Sequence, residues 1–199
     1  IHLLQVQNPG GQFSNDFIFH VTESGDAAQQ LVAQRSREDR DIRDAIADAI
    51  AQGDLDELRS HLNRRQQRGR VNDRQPASGS LPLSAAALHD RLEIARILLR
   101  RGAKVDGTNL DGNTPLHVAA FLCREDLVRL LLENGASSTT ENARGESPID
   151  VVSGPWDENL AGFYRLVGQA VGFDLDLDRI RMQRPQIASI LQEQKEDAD

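Results

Sequence analysis

The chain has 199 residues, enough for one medium domain or a short array with an appendage. Hydrophobic content of 39% with only 4% aromatics leaves the packing to Leu, Ile, Val and Ala, which suits stacked helices better than a β-sandwich. A formal net charge of −8 argues against a nucleic-acid partner.

At the N-terminus, Ile1 to Val6 and Phe13 to Val21 flank Asn8-Pro9-Gly10-Gly11, a turn signal between two β-type runs, and predict a β-hairpin. Phe13, Phe17, Phe19 and Val21 share one parity, as a single buried face requires. An isolated hairpin is marginal in water. It is therefore expected to pack on the rest of the chain, to belong with a further domain, or to pair with another chain, so self-association through the hairpin is one partner reading. The start at Ile1 rather than Met, directly in an apolar segment, reads as a trimmed or processed product preceded by a leader or another domain.

Thr22 to Gln34 reads as a capped helix, with Glu23 and Asp26 near its start. A charged stretch, Arg35 to Arg40, follows, and a second helical pattern runs from Asp39 to Gln52. Gly53-Asp54 then breaks the chain before Leu55 to Leu62, a short amphipathic run. Arg59, Arg64, Arg65, Arg68, Arg70 and Arg74 cluster here with only Asp73 to offset them after Arg59, which suits a solvated loop first and an acidic or phosphate-rich partner second.

Beyond this point the chain repeats itself every 33 residues. Leu81-Pro82-Leu83-Ser84, Thr114-Pro115-Leu116-His117 and Ser147-Pro148-Ile149-Asp150 stand in register, as do Gly79, Gly112 and Gly145, and Gly102-Ala103 with Gly135-Ala136. Thr-Pro-Leu-His followed by paired alanines at this period resembles the ankyrin repeat. The resemblance is strong from Ser78 to Val152 and weak elsewhere between Asp41 and Gly172. It implies an all-α solenoid of three to four helix-turn-helix units, here with an N-terminal β-hairpin and helix. Residues 1–38 are then the appendage and 39–172 the array, divided into a degenerate capping repeat 41–77 and repeats 78–110, 111–143 and 144–172. Residues 173–199 form a helical cap and charged tail, with short helices at Asp178 to Met182 and Pro185 to Gln192. The last repeat is irregular: Gly154-Pro155-Trp156 lengthens its turn, and its second helix is expected at Leu160 to Gly172.

The repeat residues have physical reasons. Proline carries a φ suited to a helix's first turn and lacks the N–H that would be orphaned there. Thr114 can cap from outside. Ala86, Ala87, Ala119 and Ala120 let helices approach closely, and Gly135 suits a left-handed helix end. His117 is the histidine of the repeat motif, and the resemblance gives it a structural role.

Chemistry is harder to find. No metal-ligand spacing such as HxxxH, CxxC or HExxH occurs, and Asp174, Asp176 and Asp178 fail as a calcium loop because Arg179 and Pro185 stand where Gly and Glu belong. No phosphate loop, nucleophile elbow or carboxylate pair is present, so no enzyme, cofactor or metal is expected. The lone Cys123 excludes an internal disulfide and says little about compartment, which stays open between cytoplasmic and exported. No apolar run reaches the roughly 18 residues of a membrane span. Arg outnumbers Lys, a bias of GC-rich, bacterial coding.

The functional expectation is positional. In the resembled fold the residues after the paired alanines face the concave groove; here they are Leu88, His89, Phe121 and Leu122, with Ala85, Val118 and Trp156 beside them. Large apolar groups at exposed positions mark contact sites, unless the N-terminal hairpin or the insert around Trp156 covers them. The loop tips offer Asn109, Asp111, Asn113, Glu141, Asn142 and Arg144 as hydrogen-bonding groups. Together they predict a protein–protein interaction module, an adaptor or regulator gripping a protein through concave face and loop tips. The alternative is the regulatory or targeting end of a larger enzyme or effector.

Overall fold

The computed structural model describes residues 26–63, 70–75, 79–172 and 174–196, and among these there are helices and loops but no strand. The hairpin expected over residues 1–21, and the Thr22 cap, lie outside the described residues. The chain divides into two compact units, Ile1–Ile42 and Arg43–Asp199.

A single helix, α1 (Asp26–Gln52), stands where the sequence predicts two. The stretch Arg35 to Arg40 contains neither Gly nor Pro, and its side chains are exposed, so it forms a solvated helix face instead of a break. Gln34 donates to Glu38 one turn on at 3.0 Å.

In the second unit the end of α1 pairs with α2 (Leu55–Asn63), burying Ile46, Ala49, Ile50, Leu58 and Leu62. Two regular helix pairs follow: α3 (Pro82–Leu88) with α4 (Leu92–Arg100), and α5 (Pro115–Phe121) with α6 (Glu125–Glu133). First helices pack on first helices and second on second, α3 on α5 and α4 on α6. Each pair alone would leave one apolar face wet; stacking makes the core continuous. The turn inside each pair needs one left-handed residue. It is Gly53 at φ 80° in the first pair, but Asp90 (56°) and Cys123 (52°) in the next two. Successive loop tips lie so close that a Cβ on Gly112 would sit 2.7 Å from the Ala143 nitrogen.

The third repeat is where the expectation and the structure part. Its first helix is short, α7 (Asp150–Ser153), and packs on α5. A helix does follow near the expected place, α8 (Glu158–Val171). The helix that packs against α6 and α7, however, is α9 (Leu177–Glu196), one continuous element where two short helices are predicted. Its sequence carries the signature of a second repeat helix. Arg91, Arg124 and Arg184 are each followed at three, four, six and seven positions by Ile94-Ala95-Ile97-Leu98, Leu127-Val128-Leu130-Leu131 and Ile187-Ala188-Ile190-Leu191. All of these except the half-buried Ala188 are buried.

That register explains Pro185. It stands where α4 and α6 begin, at Leu92 and Glu125, a first-turn position at which proline costs nothing. In α9 the helix is extended N-terminally beyond this point, with Asp176 capping it through Arg179 N–H at 2.9 Å, and the proline ends up inside. Thus α9 occupies the place of a second repeat helix, and α8 is an extra helix inserted before it.

Candidate functional site: a cleft between the repeats and an inserted helix

The loop tips are built by two asparagines in equivalent places. Asn109 Oδ1 accepts from the backbone N–H of Asp111 (3.0 Å) and Asn113 (2.9 Å). Asn142 Oδ1 does the same for Arg144 (2.9 Å) and Glu146 (3.1 Å). These turns hold the tips in shape. Asn142 is almost buried, and its amide donates to Asn113 Oδ1 at 2.9 Å and Glu146 Oε2 at 3.2 Å. It is therefore a pin between neighbouring tips, with nothing left for a partner. The side-chain amide hydrogens of Asn109 and Asn113, in contrast, meet no acceptor among the described residues.

Behind the tips, His117 ties one repeat to the next. Its ring accepts at Nδ1 from Thr114 N–H (3.2 Å), and its Nε2 lies 2.9 Å from the Glu146 carbonyl. A carbonyl only accepts, so Nε2 carries the proton and the ring is neutral. Burial pushes its pKa below the ordinary value, against an upward pull from the Glu146 carbonyl bond. This is the structural role that the sequence implies. At the matching place in the preceding repeat, Ser84 is buried and its hydroxyl has no hydrogen-bond partner among the described residues.

The predicted apolar patch is divided by α8. Phe121 does not face open solvent: Tyr164 of α8 stacks on it with ring centroids 4.2 Å apart, and Phe163 meets it edge-on at 5.8 Å. Tyr164 is fully buried, and its hydroxyl donates to the Phe121 carbonyl at 2.8 Å. The Tyr164 hydroxyl also accepts from Arg184 (2.9 Å), whose guanidinium further donates to Val151 O and Gly154 O, both at 3.0 Å. Burial pushes the Tyr164 phenol up to about 12. Trp156 stacks on the same Tyr164 ring at 5.6 Å. Part of the predicted patch is thus covered by Phe163 and Tyr164 of α8, while Trp156 reaches Tyr164 and not the patch itself.

Between α8 and the first helices lies a cleft of about 680 Å³. Its floor comes from Ala85, Leu88, His89, Val118, Phe121 and Leu122, its far wall from Phe163, Val167 and Val171 of α8, and its edge from the loop tips Asn109, Asp111, Asn113 and Asn142 to Arg144. Ten of the predicted contact residues therefore line one cleft: Leu88, His89, Val118, Phe121, Leu122, Asn109, Asp111, Asn113, Asn142 and Arg144. Glu141 and Trp156 lie outside it. Leu122 contributes floor only, being 1% exposed. Sequence reading misses Phe163, Val167 and Val171, because the 33-residue period places α8 on the outer row; the ladder after Arg184 was the signal that could have freed it.

Charge is confined to the cleft's edge. Arg144 pairs with Glu146 at 2.7 Å and sits 6.0 Å from the Phe163 ring centroid, while Asp111 lies at the exposed rim. His89, like His117, is held below the ordinary imidazole value, by burial first and by Arg91 second. The described members of the arginine cluster are engaged within the chain: Arg59 pairs with Asp56 and Arg70 with Asp73, and Arg74 donates to the Gly79 and Thr108 carbonyls; Arg64, Arg65 and Arg68 lie outside the described residues. Among the described residues no group of three His, Cys, Asp or Glu could hold a metal, and no helix is long and apolar enough to cross a membrane.

Comparison with known proteins bears on this geometry. A family model described as ankyrin repeats, in three copies, matches residues 46–142. Among solved structures, the ankyrin repeat domain of Bcl-3, a member of the IkappaB protein family, is similar at 24% identity and a TM-score of 0.50. The match covers 60% of this chain and 50% of that one, so the chain spans about half the length of that domain, and the likeness speaks for the fold alone. No curated protein matches the chain.

Proposed function

We propose that this chain, an ankyrin-repeat protein through residues 46–142, is a non-enzymatic adaptor or regulator that holds a protein partner in the cleft between α3, α5 and α8. Ankyrin repeats are generally protein–protein interaction modules, and fold alone names no partner. What carries the reading is the cleft itself. It places half-buried Leu88 and Val118 beside the amide donors of Asn109 and Asn113, which meet no acceptor among the described residues, an apolar centre with a polar rim. Of the imidazoles in its lining, His117 is committed to Thr114 and the Glu146 carbonyl, and among the described residues no group of three His, Cys, Asp or Glu could hold a metal, which favours binding over catalysis. Arg144 in its lining is already paired with Glu146 and Asp111 stands at its rim, which disfavours nucleic acid.

Val118→Glu tests this. Affinity capture from cells of the source organism, followed by mass spectrometry, is expected to recover a partner with the wild-type chain and to lose it with Val118→Glu. Arg129→Ala, on the exposed side of α6, is expected to retain it. A partner set that Val118→Glu leaves unchanged, with the helical circular dichroism intact, overturns the proposal. Phe121 is unsuited to this test, because its ring is stacked against Tyr164 and its loss would damage the fold.

A further inference from the structure

The cleft has two unequal walls, and α8 decides what can enter. An open concave face could receive a folded protein surface; this one cannot, because α8 crosses it and is pinned from beneath. Three contacts hold it: Tyr164 stacked on Phe121, its hydroxyl on the Phe121 carbonyl, and Arg184 on that hydroxyl. A helix anchored by a fully buried aromatic is a wall more than a lid. Toward the cleft α8 turns Phe163, Val167 and Val171. Its other large exposed apolar group, Leu166, is 62% exposed and stands outside the cleft.

Resting on the binding reading above, we infer that the occupant is a short, extended, uncharged peptide segment of the partner, gripped by its apolar side chains between α5 and α8. Three observations converge on it. The volume, about 680 Å³, is that of a small-ligand cleft and admits a few residues, far less than a folded face. Charge is confined to the edge, where Arg144 is paired with Glu146 and Asp111 lies at the exposed rim, so a charged side chain placed in the apolar centre would be desolvated without a counter-charge. The amide hydrogens of Asn109 and Asn113 have no acceptor among the described residues, and stand at the cleft edge where the carbonyls of an extended chain could accept from them. An extended segment offers both demands together: carbonyls along one edge, and apolar side chains alternating to the two sides.

The test is selection from a randomised nine-residue peptide display library on the immobilised full chain, followed by fluorescence polarisation with the capped synthetic winners. Enriched sequences are expected to be rich in aliphatic and aromatic residues and poor in Asp, Glu, Lys and Arg. Val167→Glu is expected to weaken the winning peptide roughly tenfold or more by placing an unpaired carboxylate in the wall. Leu166→Glu, one residue away but outside the cleft, is expected to bind as wild type, which also controls for damage to α8. Winners bearing net charge, or equal affinity for Val167→Glu and wild type, overturn the inference. If no peptide is selected while Val118→Glu still abolishes capture of a protein partner, the peptide inference fails and the broader binding reading stands. Loss of neither sinks both.

Discussion

The second full repeat and the interrupted unit after it share a proline at the start of their first helix or in the turn just before it, an arginine ahead of the ladder, and the same apolar ladder behind it. Only the inserted α8 separates them, and its effects reach well beyond its own length. In the regular repeat, Arg124 pairs with the half-exposed Asp90 at 2.9 Å, a contact open to water on its carboxylate side. In the interrupted unit, Arg184 is 4% exposed and gives its hydrogens to Val151 O, Gly154 O and the Tyr164 hydroxyl, with no carboxylate among these partners. The same residue, at the same step of the repeat, serves as a surface tether in one place and as a buried clasp in the other. An insertion between two helices of a repeat therefore need not disturb the stack, since the second helix can return to its slot. What changes is the concave face, which acquires a second wall.

The largest effect expected is at Tyr164. If α8 is a fixed wall, Tyr164→Ala removes a fully buried ring and should lower stability by about 3–5 kcal/mol in urea titration. Tyr164→Phe keeps the ring and strands the Arg184 donor and the Phe121 carbonyl, costing about 1–3 kcal/mol. A loss below about 1 kcal/mol for the alanine variant would show that α8 is loosely laid on the repeats, and would erase the contrast between clasp and tether.

The two regions also differ in how much of them the sequence discloses. Where the chain keeps its period, Thr114, Pro115 and His117 announce their own geometry, because capping, first-turn and inter-repeat bonds all depend on residue types at fixed offsets. The groove floor was legible for the same reason. The wall was not. A helix such as Glu158 to Val171 is amphipathic in any context, and the expected offset assigned it to the outer row; only the longer ladder of α9, beginning at a proline that looks like a break, outcompetes it for that slot. Likewise nothing local told Asn142 from Asn109. Both make the same turn, yet one has the preceding loop's Asn113 within reach and is consumed by it, while the amide of the other meets no acceptor among the described residues.

A smaller effect compares regular repeats with each other. His117 bridges to Glu146 O, a carbonyl that also accepts from Asn142 N–H at 2.9 Å. One repeat earlier the equivalent carbonyl, Asn113 O, accepts from Asn109 N–H at 3.0 Å, and Ser84 is too short to add the second bond. Ser84→His should therefore add an inter-repeat hydrogen bond and stabilise by about 0.5–1.5 kcal/mol, and His117→Ser should cost at least as much, both by thermal unfolding. Destabilisation by Ser84→His would mean that this junction is too tightly packed for the ring and that the repeats are not interchangeable at this step.

The smallest effect is a dependence on pH. Burial lowers the folded pKa of His117, with Arg144 adding to the fall while the Glu146 carbonyl bond and the Glu146 and Asp106 charges oppose it. Burial lowers His89 as well. A depressed folded value means that below the ordinary value of 6.5 the unfolded chain takes up protons that the folded chain refuses. The contribution of these rings is complete above that value and is lost progressively as pH falls through the window beneath it, before most carboxylates titrate. The melting temperature should accordingly decline between about pH 7 and about pH 5, and His117→Gln should decline less over the same interval. His117 sits where the second repeat meets the interrupted one, so an equal slope in the variant would locate the acid sensitivity elsewhere and leave this junction indifferent to the His117 ring.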